Sequence, residues 1–134
     1  MRTRLTAIIS LLIATSFGAS GAGAASTLPT RTSAEAAVAV KATPRPLTGA
    51  TWEFDLVFDT HSRELNDDLE KTAVLVTDGG KTFSPVKWQG DPPGGHHRKG
   101  VLQFKPVSPR PASIELRIAR PGEPAPRVFQ WALN

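Results

Sequence analysis

Trp52-Glu53-Phe54-Asp55-Leu56-Val57-Phe58-Asp59 is the stretch that decides the fold. Large apolar side chains at 52, 54, 56 and 58 alternate with Glu53, Asp55, Val57 and Asp59. A period of two places one face of a β-strand in a core and the other toward water. Each of the four apolar groups contributes about 1.5–3 kcal/mol when fully buried, so this strand anchors a core.

The same alternation recurs on both sides. Upstream, Glu35–Thr43 sets Val38, Val40 and Ala42 against Glu35 and Lys41, and Pro44-Arg45-Pro46 ends the run because proline has no N–H for a ladder. Downstream, 73–77 and 82–87 flank Asp78-Gly79-Gly80-Lys81, a hairpin turn that exploits positive φ. Pro85 makes the second of these an edge strand or marks a bulge. Gln89 to Gly95 reads as a loop. Arg98–Phe104 follows with Leu102 and Phe104 inward, then Ser113–Ile118, and finally a strand with Phe129, Trp131 and Leu133 on one face. Between strands, Leu65 and Leu69 pin a bend or single helical turn, and Asp67 with Glu70 forms a capping-box-like pair.

Seven or so short strands with turn signals every ten residues predict an all-β fold, an antiparallel immunoglobulin-like β-sandwich enclosing the three tryptophans. A small β-barrel is the alternative, since alternation does not separate two packed sheets from one closed sheet.

The N-terminus carries Arg2 and Arg4, an apolar run from Leu5 to Phe17 and Ala22-Gly23-Ala24, the pattern of a secretory signal peptide over residues 1–24. Residues 25–34 read as a flexible leader and 35–134 as the sandwich domain. The expected destination is the periplasm or the extracellular space, with no transmembrane anchor after cleavage. Of 134 residues, cleavage after Ala24 leaves 110, and loss of Arg2 and Arg4 lowers the net charge from +4 to +2. There is no cysteine, hence no disulfide and no lipid-anchored cleavage site. The basic residues alternate with acidic ones along the strands and form no stripe, so no nucleic-acid partner is expected.

All three histidines fall in two motifs, Asp59-Thr60-His61-Ser62 and Gly94-Gly95-His96-His97-Arg98. Without cysteine, a metal site must use nitrogen and oxygen donors. His61, His96 and His97 with Asp59 or Asp91 are the candidate ligands, for copper or zinc. Adjacent strand residues face opposite ways, so His96 and His97 share an ion only if the loop kinks at Gly94-Gly95. The competing reading, which takes precedence, makes the histidines loop struts: His61 against Asp67 or Asp68, and His96 capping the core beneath Trp88. The Pro/Gly-rich loops 89–95 and 119–126 suit contact with an envelope protein, and the domain is expected to be a monomer. No catalytic residue is assigned. Asp59, His61 and Ser62 are strand neighbours that diverge, and no Gly-x-Ser-x-Gly elbow is present.

The two histidine motifs, with Leu65, Asp68-Leu69, Trp88, Gly100-Val101-Leu102, Phe104 and Arg127-x-Phe129-x-Trp131, resemble an uncharacterised family of exported bacterial and archaeal domains. The resemblance spans nearly the whole mature chain. It implies an immunoglobulin-like β-sandwich and marks the histidine positions; the family has no established activity and supplies no reaction.

Overall fold

Residues 27–133 are described by the computed structural model. The signal-like segment 1–24 and the first two residues of the expected leader, Ala25 and Ser26, lie outside them. The anchoring stretch forms β3 (Trp52–Thr60), with 52, 54, 56, 58 and 60 buried as the alternation requires. It shares a sheet with β1 (Arg31–Glu35), β2 (Val38–Pro44), β6 (Lys87–Gly90) and β7 (His97–Phe104), in the order β1-β2-β3-β7-β6. The second sheet is β5 (Thr82–Phe83), β4 (Ala73–Thr77), β8 (Ser113–Ile118) and β9 (Arg127–Ala132) in that order. Every pairing is antiparallel.

Two separate sheets make this a sandwich and not a closed barrel. The order β2-β3-β7-β6 is that of strands A, B, E and D of the immunoglobulin fold, and β4-β8-β9 is that of C, F and G. β5 adds a strand beside C, and β1 lies outside A. Phe54 sits at the centre of the core, edge-on to Phe104 at 5.6 Å and tilted against Trp131 at 5.7 Å, so the two sheets meet through aromatic rings.

Nine strands replace the expected seven, and the two extra ones are instructive. Arg31–Glu35 is strand and not flexible leader: it pairs with β2 from Arg31↔Ala42 to Glu35↔Val38. Leu28 packs on the core, and the Trp131 indole N–H donates to the Pro29 carbonyl at 2.7 Å. Glu35 therefore belongs to β1, and Ala36-Ala37 is a two-residue turn with φ of 47° and 63°. Positive φ at both positions is the type I′ hairpin geometry usually served by Asn-Gly, and it costs alanine about 1–2 kcal/mol per residue. β6 was hidden because Gln89-Gly90 looks like loop. Gly90 is in fact opposite Gly100, and a Cβ on Gly100 would lie 2.6 Å from the Trp88 ring. The paired glycines thus make room for Trp88, which is only half buried at the sandwich margin, while Trp52 and Trp131 are buried.

Helix α1 (Leu69–Thr72) is the expected single turn, with Leu65 and Leu69 buried. The capping-box pair is not formed. Asp68 stands at the N-cap without a side-chain bond, and the Glu70 carboxylate accepts from the Trp88 backbone N–H at 2.9 Å. Asp67 does something else, described next. Among the described residues no helix is long and apolar enough to cross a membrane.

Candidate functional site

At one end of the sandwich the inward rows stop being apolar. β3 ends in Thr60, Arg98 is the first inward residue of β7 and β9 begins with Arg127 at another inward position, all three buried. Apolar columns that end in charge need partners, because an uncompensated buried ion is costly. The loops supply them.

Asp67, fully buried, takes two bonds from Arg120: Nε to Oδ2 at 3.0 Å and Nη2 to Oδ1 at 3.1 Å. Arg120 also donates to Glu123 at 2.8 Å, and Arg127 Nε donates to the other Glu123 oxygen at 2.6 Å. Arg98 answers to carbonyls instead: Asp67 O at 2.6 Å, Asp91 O at 3.0 Å and, more loosely, Leu65 O at 3.4 Å. Its guanidinium lies 5.3 Å from the Trp88 ring centre, a cation–π contact. Among the described residues no buried side-chain nitrogen or oxygen lacks a partner.

Backbone bonds then tie the two histidine motifs together. Thr60 N–H donates to His96 O at 2.9 Å, Leu65 N–H to Gly95 O at 3.1 Å, and Gly94 N–H to Leu65 O at 2.9 Å. The Thr60 hydroxyl donates to Ala37 O at 2.7 Å and accepts from the Ser62 and Arg63 N–H groups, which turns the chain after β3. Gly94 and Gly95 both have positive φ, the kink that glycine permits without strain.

The predicted ligands are thus partly brought together. Asp59 is opposite His97 in the β3–β7 register, and its carboxylate contacts His97 Nδ1. His61 and His96 lie on the adjoining loops of the same end, their rings exposed. Asp91 is engaged elsewhere: its carboxylate accepts the Lys99 N–H at 3.0 Å and its carbonyl binds Arg98 and Trp88. Among the described residues no three His, Asp or Glu side chains converge as a metal cage would need. The strut assignments also change. Asp67 serves Arg120 and not His61, and Arg98 rather than His96 lies beneath Trp88. β7 starts at His97, so His96 is not drawn inward by strand parity.

Strand parity is the signal that finds Arg98 and Arg127, since they share the faces of Leu102 and Phe104 and of Phe129 and Trp131. Nothing in the sequence pairs Asp67 with Arg120, fifty-three residues apart.

Glu123 links this network to pH. Burial pushes its carboxyl up, but the hydrogen bonds from Arg127 and Arg120 outweigh burial and hold it below the ordinary carboxylate range. A carboxyl depressed on folding adds stability that is present above its unfolded pKa of about 4.3 and disappears as pH falls through the folded value. Urea midpoints are expected to drop as pH is lowered from about 5 toward 3, and Glu123→Gln is expected to flatten that slope. An equal slope in both proteins would remove Glu123 from the acid response.

Asp59, Thr60 and His61 line a shallow, open recess of about 560 Å³ together with the β1–β2 hairpin, Ala34 to Ala39. In comparisons with known proteins, no family model matches the chain, no curated protein is similar to it and no solved structure matches it.

Proposed function

We propose that the protein is an exported, non-catalytic immunoglobulin-like binding module that engages an envelope partner through the end carrying His61, His96 and the Asp59–His97 pair. One observation carries this reading: the motif residues divide into two sets. Thr60, Leu65, Gly94, Gly95 and Arg98 lock the loops to one another. The three imidazoles take no part in that locking and stand exposed on a rigid frame. His97 Nδ1 is engaged by Asp59, which leaves its Nε2 and the rings of His61 and His96 to meet a partner. A fixed backbone presenting such groups is the condition for binding at low ordering cost. Asp59 and His61 face an open recess and not an enclosed cleft, which favours binding over catalysis. The signal-like N-terminus and the resemblance of the histidine motifs to exported domains support delivery to the periplasm or beyond.

Copper or zinc is a second reading, favoured by the Asp59–His97 contact. A carboxylate on Nδ1 orients the ring and leaves Nε2 free, as the outer-shell carboxylates of metal-binding histidines do. Asp59 would then orient the ligand rather than be one, and His61 or His96 would supply the second nitrogen.

His61→Ala, His96→Ala and His97→Ala are expected to change stability by less than about 1 kcal/mol in urea denaturation, because exposed rings and a half-exposed carboxylate–imidazole contact contribute little. Titration of the same panel with Zn²⁺ and Cu²⁺ by calorimetry decides the second reading, which requires binding that is lost in His97→Ala. A loss of about 2 kcal/mol or more for His61 or His96 would make the rings struts and end the proposal.

A further inference from the structure

β1 is attached in a way that lets the same strand of another copy replace it. It is an edge strand, exposed along its length except at half-buried Ser33, and it pairs with β2 alone. Beyond that pairing, Leu28 packs on the core and the other contacts that hold residues 27–35 are polar ones to β9 or β2. Arg127 donates to Ser33 O at 3.0 Å and Glu35 O at 2.8 Å, and the Trp131 indole to Pro29 O at 2.7 Å. Arg31 Nε donates to Gln130 O at 3.1 Å, and the Thr30 and Thr43 hydroxyls bond at 2.6 Å. None of these contacts requires arm and acceptor to share a chain. A second copy's arm laid in the same place remakes them all.

Only the turn distinguishes the two arrangements. In the closed form Ala36 and Ala37 are held in the left-handed region, at φ of 47° and 63°. In an exchanged form both become extended and Arg31–Pro44 runs as one strand. Short hinges under strain invite such exchange. The relief counts twice per dimer, because a two-fold assembly contains two hinges.

We propose that two copies exchange residues 27–35 to form a two-fold symmetric, strand-swapped dimer with Ala36-Ala37 as the hinge. The occupant is a second copy because the acceptor groove is matched to this arm, its guanidinium and indole N–H groups meeting carbonyls 29, 33 and 35. An arm tethered by two residues has a high effective concentration for its own groove, so the closed monomer prevails in dilute solution and the dimer grows with concentration.

Sedimentation equilibrium from micromolar to millimolar protein tests this. The wild type is expected to dimerise. Ala36→Asn with Ala37→Gly supplies the residues the turn prefers and should weaken the dimer at least about tenfold. Ala37→Pro, whose ring fixes φ near −65°, cannot form the closed turn and should strengthen it. Thr32 and Lys41 are register partners, and the chain has no cysteine of its own. Mixing Thr32→Cys copies with Lys41→Cys copies should therefore give a disulfide between chains. Wild type and Ala37→Pro that both stay monomeric would overturn the proposal. So would a dimer indifferent to the Asn-Gly turn, or one without the inter-chain disulfide.

Discussion

Asp67→Asn is expected to cost about 3–5 kcal/mol in urea denaturation, although the side chain keeps its size and shape. The reason is what it leaves behind. Arg120 is almost wholly buried, its side chain 6% exposed, and donates two of its three carboxylate bonds to Asp67. An amide turns one acceptor into a donor facing the guanidinium and removes the compensating charge. The remaining anion, Glu123, already serves Arg127. A buried cation without its partner is worse than no ion pair. The double variant Asp67→Leu/Arg120→Met removes both charges and leaves Glu123 and Arg127 as a neutral pair. It should therefore recover most of the loss, since apolar replacement of a buried pair is commonly neutral or better. A single variant losing less than about 1 kcal/mol would mean that water reaches Arg120 and that this end of the sandwich is not sealed.

β3 was readable in the sequence because four large side chains alternate without interruption, and β8 and the inward face of β9 for the same reason. β1 was not, since an edge strand open to water on both faces buries no alternating row. Ala36-Ala37 also lacks the glycine or asparagine by which a tight turn is normally recognised. The charged end was half legible. Parity places Arg98 and Arg127 inward, but a buried arginine is believable only once its acceptors are known. For Arg98 those acceptors are carbonyls of the loops around Asp67 and Asp91, and for Arg127 they are the nearby Glu123 carboxylate and carbonyls of β1 and β2. The meeting of the two histidine motifs was an expectation from sequence. The register that sets Asp59 opposite His97, instead of bringing histidines together, comes from pairing geometry that a one-residue shift would have reversed.

Arg127→Met carries the second large effect, and its signature differs from that of Asp67→Asn. The Arg127 side chain is fully buried and spans the two sheets. Besides Glu123 it binds Ser33 O, Glu35 O and, at 3.2 Å, Val38 O, the carbonyls that surround the strained alanine turn. Methionine fills comparable volume but donates nothing, so three carbonyls lose a charged donor and Glu123 keeps only Arg120. Loss of one member of a buried pair predicts about 3–5 kcal/mol. The loss should also be uneven. β1 depends on Arg127 directly, whereas β3 and β7 meet it only through the core. Hydrogen exchange is therefore expected to show β1 amides opening well before those of β3, with the strain of Ala36-Ala37 now helping to release the arm. Uniform loss of protection across both sheets would show instead that β1 and the core unfold as one unit, and that Arg127 stabilises the sandwich as a whole.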